Sequence, residues 1–286
     1  MALRRLVISA SDNVRSSSVA RALRSGARVR GIQFYSANAW SIQTPLPDAV
    51  YAFYGLKEHL RLWKLAKDQG RRFIFFDLGY WRRSEDPRDT GGYYRVSVDG
   101  IQPTPEHIAT APVDLPRLDG FPHPVITRGR SRGRHALIIG MSPKAAKVFG
   151  FEPFEWEAQM AQRLQAIGLS PYYRAKPTMD YAVSIPDAIS LSPSVPVSQA
   201  LDLADYVVAY HSNMALEACA LDVPYYCEMG AAKALSAPSV EALVVHQTAS
   251  QEARAALISQ ASGWQWTLAE VSKGLMFTQL QARGIF

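Results

Sequence analysis

Cysteine is scarce in this chain, with two residues among 286. Cys219 and Cys227 stand in a predicted helix and the strand after it, which gives neither a disulfide framework nor a zinc site. We expect both to be small buried side chains. No pair of His or Asp stands at metal-ligand spacing, so the sequence indicates no metal site.

Long apolar stretches are also missing. The longest apolar runs are short and broken by charge, and residues 1–5 lead into a strand without the apolar segment of a signal peptide. We therefore expect a soluble, cytoplasmic protein without a membrane partner. The chain has no Walker lysine motif, and Gly140 lacks the glycine spacing of a dinucleotide-binding fingerprint, which argues against kinases and ordinary dehydrogenases.

Acidic residues are few in the first half of the chain. Residues 1–134 hold 22 Lys and Arg against 12 Asp and Glu, a net charge of +10, whereas residues 135–286 hold 9 against 13, a net charge of −4. This segregation indicates that the first half faces a polyanion and the second half binds something smaller. An arginine-rich surface without such a partner is the alternative.

The chain is rich in short buried strands that alternate with helices. The first half predicts strands over 6–10, 29–35, 49–54, 72–76 and 91–100, and helices over 16–23 and 58–69. The second half predicts strands over 135–140, 171–174, 207–209 and 225–227, helices over 156–167, 198–203, 214–221, 252–262 and 268–280, and a strand or helix edge over 240–245. The pattern predicts an α/β protein with two Rossmann-like domains, over 1–133 and 134–270, and a terminal helix over 271–286.

The stretch Ala200–Met229 predicts a complete βαβ unit in thirty residues. A polar turn follows its first strand and offers Ser212 at the start of a helix, where backbone N–H groups attract anions. We expect a phosphate beside Ser212 and a ribose hydroxyl beside Glu217, about one and a half helical turns further on. The alternative is a core βαβ unit whose polar turn only caps the helix.

Further donor and cationic side chains follow the other strands of the second half. Because the carboxyl ends of parallel strands meet at one edge of a sheet, these groups form a candidate diphosphate clamp. Its members are Ser142, Arg174, Lys176, His211, Ser212 and Asn213.

The segment HSNMALEACALDVPYYCEMGAA, preceded by ALDLADYVV and by RAKP, resembles the donor-binding half of GT-B glycosyltransferases over roughly residues 135–240. The resemblance implies two Rossmann-like domains that face each other across a cleft, with the nucleotide sugar in the second and the last helix crossing back to the first. It also implies that 211–213 contact the donor diphosphate or sugar, that Arg174 and Lys176 neutralise the leaving nucleotide, and that Glu217 binds the ribose. The chain lacks the glycine that some members carry before the helix.

The acceptor side is predicted in the first half, where FDLGYWRR and YYRVSVDG resemble bacteriophage proteins that modify DNA bases. Asp77 and Asp12 follow strands there and are the candidate catalytic bases, with turn capping as the alternative for each. A base in duplex DNA must leave the stack before its hydroxyl can react, which calls for aromatics and arginines together. The candidate DNA-binding residues are Tyr80, Trp81, Arg82, Arg83, Arg95, Arg128, Arg130 and Arg132.

These patterns favour a glycosyltransferase that moves a sugar from a nucleotide sugar, with UDP as the favoured nucleotide, to an acceptor hydroxyl. The favoured acceptor is a hydroxymethylated pyrimidine in double-stranded DNA. Two alternatives remain: a glycosyltransferase for a surface polysaccharide or lipid-linked sugar, and a two-domain DNA-binding protein without catalysis. For the arginines after Ile126, a solvated linker is the alternative to phosphate contact.

Overall fold

The computed structural model describes residues 5–44, 46–84, 86–89, 91–111, 115–118, 120–128, 133–176, 184–192 and 194–286. The chain divides into two compact units. The first comprises Met1–Pro103, Thr110–Phe121 and Gln260–Phe286, and the second comprises Thr104–Ala109 and Pro122–Ser259. Among the described residues, no helix combines the length and apolar content that crossing a bilayer would need.

Eleven strands are formed by the described residues. In chain order they are β1 (Arg5–Ala10), β2 (Phe34–Asn38), β3 (Ala49–Tyr54), β4 (Arg72–Leu78), β5 (Tyr93–Val98), β6 (His135–Ile139), β7 (Ser170–Arg174), β8 (Ile189–Leu191), β9 (Tyr206–Ala209), β10 (Tyr225–Cys227) and β11 (Gln265–Thr267).

The helices of the described residues range from single turns to the sixteen residues of α1. They are α1 (Val14–Val29), α2 (Leu60–Asp68), α3 (Pro105–Ala109), α4 (Leu115–Leu118), α5 (Pro143–Phe149), α6 (Glu155–Ala166), α7 (Val197–Leu203), α8 (Met214–Ala220), α9 (Gln251–Ser262), α10 (Leu268–Ser272), α11 (Leu275–Ala282) and a 3₁₀ turn over Ala231–Leu235.

The first unit is built on a six-stranded sheet in the order β11-β5-β4-β3-β1-β2. The strands β2, β1, β3 and β4 run parallel, whereas β5 is antiparallel to both β4 and β11. The central strands are buried on both faces, as expected of parallel strands covered by helices. The carboxyl ends of β1, β3 and β4 therefore share one edge with the start of β5.

The second unit holds a five-stranded, fully parallel sheet in the order β10-β9-β6-β7-β8. Numbered by their order in the chain and read across the sheet from β8 to β10, the strands have the order 3-2-1-4-5, which is the arrangement of Rossmann-like nucleotide-binding units. Its core consists of apolar residues from the sheet and from α6, including Ile138, Leu164 and Val208, each 0% exposed. The predicted α/β class with two Rossmann-like units is therefore confirmed.

Three predicted elements differ from the structure. The strand predicted over 29–35 is wrong at its start because α1 continues to Val29 and β2 begins at Phe34. Residues 240–245 form turns in place of a strand or helix edge. The single helix predicted over 268–280 is two helices, because Gly274 at φ +78° separates α10 from α11.

The C-terminal segment completes the first unit. β11 pairs antiparallel with β5, so Trp266 faces Tyr94 across the ladder. α10 packs closely on α1: a Cβ on Gly26 would lie 2.0 Å from the carbonyl oxygen of Val271. Glycine is therefore required at this crossing, and the final segment belongs to the core of the first unit.

Candidate nucleotide-binding site

The strand order of the second unit locates a ligand site. β6 is its first strand and lies between β7 and β9, so the direction in which strands are added reverses between β6 and β9. In open α/β sheets, ligands bind at the carboxyl ends of the strands at such a switch point. Ser142 lies three residues after the end of β6, and His211 and Ser212 follow β9. The sheet therefore brings these predicted residues to one edge.

The two serines at the switch point hold the starts of their helices. Ser142 Oγ accepts a hydrogen bond from the backbone N–H of Ala145 at 3.2 Å, and Ser212 Oγ accepts from that of Met214 at 3.2 Å. A hydroxyl that accepts such a bond keeps its own proton for donation. Both side chains are half-buried, so each offers a positioned O–H donor at the sheet edge.

Arg174 is the buried cation of this edge, with the residue 5% exposed. Its Nη2 donates to the carbonyl oxygen of Val195 at 3.2 Å, and its Nε has no hydrogen-bond partner among the described residues. Burial lowers the pKa of the guanidinium, and the nearby charge of Glu217 opposes that shift. A buried charge with unused donors is costly unless an anion pairs with it. The geometry fits a phosphate at Arg174.

Glu217 makes a side-chain hydrogen bond that the sequence does not indicate. His123 Nε2 lies 2.9 Å from Glu217 Oε2, and both side chains are largely buried. His123 stands in the proline-rich stretch FPHP, where no periodic pattern marks it as a site residue. The contact holds the carboxylate of Glu217 in place on α8.

An aromatic cluster surrounds the end of β9. The Tyr210 ring packs against the rings of Phe149 at 4.6 Å and Trp156 at 5.5 Å, and His211 lies 5.3 Å from Phe149. Rings of this size fix the orientation of the segment that carries them. The cluster therefore ties the turn after β9 to α5 and α6, which follow β6.

A buried guanidinium secures the far end of α8. Arg254, 2% exposed, donates from Nη1 to the carbonyl oxygens of Ile126, Cys219 and Ala220 at 2.7, 3.1 and 3.2 Å. These bonds satisfy carbonyl groups that a helix end leaves without partners. Glu217 therefore projects from a helix that is fixed at its C-terminal end.

The other predicted donor-site residues are less enclosed. Lys176 is exposed two residues after β7, and the last residue of the RAKP segment lies outside the described residues. Asn213 is half-buried, and its side chain makes no capping hydrogen bond to α8. No cluster of three or more His, Cys, Asp or Glu suited to a metal ion occurs among the residues that the structure describes.

Glu157 is a buried carboxyl beside this site, and it was not predicted from the sequence. It is 1% exposed, its Oε1 accepts from the backbone N–H of Met141 at 2.6 Å, and its Oε2 has no partner among the described residues. Burial raises the pKa of this carboxyl above its ordinary value of 4.5. Glu157 lies on the buried face of a helix, and such a polar residue gives no sequence signal.

The pH dependence of stability tests the state of Glu157. Because the pKa of Glu157 is higher in the folded state, its contribution to the free energy of unfolding is complete below about pH 4.5. This contribution is lost as the pH rises through the pKa of the folded state. We expect Glu157→Gln, which keeps an acceptor for the N–H of Met141, to abolish this part of the pH dependence of the free energy of unfolding. Urea unfolding of both proteins between acid and neutral pH measures the difference, and parallel curves would contradict the assignment.

In the first unit, Asp77 is the penultimate residue of β4, at the edge shared by β1, β3 and β4. Its Oδ2 accepts from Arg95 Nη2 at 2.6 Å, and its Oδ1 accepts from the backbone N–H of Leu78 at 2.8 Å. Its side chain is 38% exposed, whereas that of Arg95 is 9% exposed and also donates to Gln102 at 2.7 Å. The carboxylate is therefore accessible and held in one orientation by a buried cation.

Two tyrosines complete this edge. The rings of Tyr54, at the end of β3, and Tyr94, on β5, lie 5.8 Å apart. The pKa of Tyr54 is raised by burial and by the charge of Asp77, while Arg15 opposes the shift. The charges of Asp77 and Arg15 thus act in opposite directions on the pKa of Tyr54. Tyr54 and Arg15 were not predicted as site residues, because no motif marks them in the sequence.

Asp12 is exposed after β1 and lines a cleft of about 530 Å³ beside α1. The same cleft is lined by Arg21, Arg88 and several serines. Asp12 follows β1, whereas Asp77, predicted to follow a strand over 72–76, lies within the last two residues of β4.

The candidate DNA-binding residues fall into three groups. Tyr80, Trp81 and Arg95 are buried, at 6%, 5% and 7% exposure, so their side chains contribute to the core. Arg82 and Arg83 are exposed. Arg128 lies 3.5 Å from Asp202, and Arg130 and Arg132 lie outside the described residues.

Comparison with known proteins gave matches in structure alone. Neither the family models nor the curated proteins gave a match. Two similar structures are KpsC β-Kdo transferases from Thermosulfurimonas dismutans. The 2,4 transferase is 11% identical, with 93% of this chain and 92% of that chain covered at a TM-score of 0.47. The 2,7 transferase is 9% identical, with 96% and 99% covered at 0.48.

A third similar structure is the spinosyn rhamnosyltransferase SpnG. It is 13% identical, with 97% of this chain and 100% of that chain covered at a TM-score of 0.37. Likenesses this distant do not transfer chemistry from one protein to another. The function therefore has to be inferred from the site residues themselves.

Proposed function

We propose that this protein is a glycosyltransferase of the GT-B type that uses a nucleotide-sugar donor. The observation that carries the proposal is Arg174, a buried guanidinium with an unused donor at the carboxyl edge of a Rossmann-like sheet, on the strand next to the switch point. Ser142 and Ser212 add hydroxyl donors at the same edge. This set suits the diphosphate of a nucleotide sugar.

The same residues give the leaving group its stabilisation. As the bond between the anomeric carbon and the donor oxygen breaks, both electrons leave with the diphosphate, and negative charge grows there. A guanidinium fixed before the reaction stabilises that charge without reorganisation. Lys176 and His211 to Asn213 supply further contacts, and Glu217 accepts a ribose hydroxyl. UDP is the favoured nucleotide.

Asp77 is the proposed base on the acceptor side, and Asp12 is the second candidate. In an inverting transfer, Asp77 takes the proton of the acceptor hydroxyl while the oxygen of that hydroxyl forms a bond to the anomeric carbon of the donor. Arg95 and the N–H of Leu78 orient the carboxylate for this step. Each carboxylate oxygen has a second acceptor site that these two bonds leave for the hydroxyl.

The proposed acceptor is a hydroxymethylated pyrimidine in double-stranded DNA. The net charge of +10 on residues 1–134 supports a polyanionic partner. Exposed Arg82 and Arg83 follow the strand that carries Asp77, and Arg128, Arg130 and Arg132 are the further proposed phosphate contacts. These phosphate contacts would hold the reactive base of the DNA near the carboxyl edge of the first sheet.

A second candidate acceptor is a surface polysaccharide or lipid-linked sugar. The burial of Tyr80 and Trp81 favours it, because these side chains are part of the core and do not offer the stacking faces that an extruded base would use. The donor site is the same in both cases.

Mass spectrometry of the acceptor tests the proposal. The protein is incubated with a panel of nucleotide sugars and duplex DNA that contains hydroxymethylated pyrimidines, and the nucleosides are then analysed. We expect a mass increase of one sugar per modified base, with UDP sugars the best donors. Unmodified duplex DNA is the matched control.

The other outcomes separate the alternatives. Transfer to oligosaccharides in place of DNA would show that the acceptor is a sugar and that the protein is still a glycosyltransferase. DNA binding without thermal stabilisation by any nucleotide sugar would show a non-catalytic DNA-binding protein, since a ligand that binds the folded state raises its stability.

A further inference from the structure

The turn over 140–142, between β6 and α5, is held at each of its residues. The N–H of Gly140 donates to the carbonyl oxygen of Arg174 at 2.9 Å, and the N–H of Met141 donates to Glu157 Oε1 at 2.6 Å. Ser142 Oγ accepts a hydrogen bond from a backbone N–H of α5 at 3.2 Å. Of these three bonds, the one to Glu157 is made with the side chain of a separate helix, α6.

The surroundings of this turn are tightly packed. A Cβ on Gly140 would lie 2.7 Å from the hydroxyl oxygen of Tyr173, which is too close for any side chain, so the backbone passes directly over that ring. Met141 is 4% exposed, and its hydrogen bond to Glu157 is buried. A backbone N–H buried without an acceptor is strongly unfavourable. The conformation of the turn therefore depends on the acceptor that Glu157 supplies.

Glu157 makes this bond at a cost to the fold. The residue is 1% exposed, and its Oε2 has no partner among the described residues. Burial of a carboxyl group with one of its oxygens unpaired is unfavourable. The one hydrogen bond that it makes fixes Met141, the residue before Ser142, and the hydroxyl of Ser142 is a proposed donor to the diphosphate.

We infer that Glu157 is a positioning residue for the donor diphosphate: it holds the N–H of Met141 and so keeps the hydroxyl of Ser142 directed at a phosphate. The inference rests on the proposed function, which places the diphosphate at Ser142 and Arg174. The bond from Gly140 to the carbonyl of Arg174 ties the same turn to the strand that carries the guanidinium. A donor that is fixed before the ligand arrives loses little freedom on binding.

Variants of Glu157 test the inference in nucleotide binding. The probe is whichever of UDP, GDP, CDP, ADP and dTDP the wild type binds most tightly, measured by calorimetry. Glu157→Met removes the acceptor and keeps a side chain of similar length, and it should weaken binding roughly tenfold, the scale of one hydrogen bond to a charged group. Glu157→Gln keeps the acceptor and should restore most of the affinity.

The matched control is Gln162→Leu, which changes an exposed side chain on the same helix and should bind the nucleotide as the wild type does. Thermal unfolding shows that each variant is folded. If Glu157→Met does not fold, Glu157→Asp replaces it, because a side chain shorter by one methylene draws the acceptor away from Met141 while the carboxyl group remains. Its affinity should fall in the same way.

A double-mutant cycle with Ser142→Ala separates positioning from a general loss of structure. Ser142→Ala removes the hydroxyl and should itself weaken binding roughly tenfold. If Glu157 acts through that hydroxyl, adding Glu157→Met to Ser142→Ala should lower the affinity by less than about twofold more, whereas the factors of independent changes multiply.

Three results would overturn the inference and leave the proposed function in place: unchanged affinity in Glu157→Met, factors that multiply in the double variant, or Glu157→Gln binding as weakly as Glu157→Met. Failure of the wild type to bind any of the five nucleoside diphosphates would instead overturn the proposed function, and the role of Glu157 with it. The wild-type measurement and the variant measurements therefore distinguish the two failures.

Discussion

Asp77→Asn should lower the rate of sugar transfer by about two orders of magnitude or more, the usual scale for loss of a general base. Asparagine keeps the size of the side chain but only one of its two acceptor oxygens, so either Leu78 or Arg95 loses its hydrogen bond. Nucleotide-sugar affinity should remain nearly unchanged, because Asp77 lies in the first unit. Single-turnover rates and calorimetry on the same variant measure the two effects.

The ion pair of Asp77 requires a structural control. Loss of the charge leaves the buried Arg95 with a neutral partner, which destabilises a folded unit. Thermal unfolding of Asp77→Asn reports that loss separately from the rate. Asp12→Asn is the matched catalytic control: if it abolishes transfer and Asp77→Asn does not, the base is Asp12, in the turn after β1. If both variants stay active, the departing phosphate itself takes the acceptor proton in a retaining reaction.

Arg174→Ala should weaken nucleotide-diphosphate binding roughly 10- to 150-fold, since charged hydrogen bonds contribute about 1.5–3 kcal/mol. The same change should leave the free energy of unfolding unchanged or raise it, because it removes a buried charge that has one hydrogen bond and an unused Nε. If Arg174 serves to bind an anion, its removal therefore does not lower the free energy of unfolding. If Arg174 is needed for folding, its removal lowers it. Isothermal calorimetry and urea unfolding measure the two quantities.

Arg174→Lys separates the roles of charge and shape. Lysine keeps the positive charge as a point charge and loses the planar fork, so it should restore part of the binding only. The nucleotide monophosphate serves as a comparison ligand, because it lacks the second phosphate. A large loss of stability in Arg174→Ala with unchanged diphosphate affinity would show that the residue only supports the sheet.

The sequence predicted those parts of the fold that local patterns encode. Residues 206–209 and 225–227 are short apolar runs bounded by turn residues, and both are strands. The polar residues after β9 lie at the switch point, because a parallel sheet places the carboxyl ends of neighbouring strands together. β11 was missed because Gln265 to Thr267 is a short strand whose partner, β5, is more than 160 residues away in the chain.

The site residues that were missed depend on contacts that no spacing reveals. His123 contacts Glu217 across 94 residues of the chain, and Glu157 accepts a hydrogen bond from the backbone N–H of Met141, 16 residues away. Tyr80 and Trp81 looked like surface aromatics beside arginines, yet both are buried: the N–H of Tyr80 donates to Gln265, and the indole of Trp81 donates to the carbonyl oxygen of Arg117. Tertiary packing therefore decided between a core and a surface role.

The return of β11 to the first sheet sets an order for folding during synthesis. The second unit ends at Ser259, whereas the first needs β11 and α10 to close its sheet and cover Gly26 on α1. A ribosome adds about 5–20 residues per second, so roughly ten to thirty seconds separate β5 from its last strand partner. The second unit can fold in that interval. The basic first unit meanwhile presents an unpaired edge of β5, which stays open to other strands until β11 has been synthesised and can pair with it.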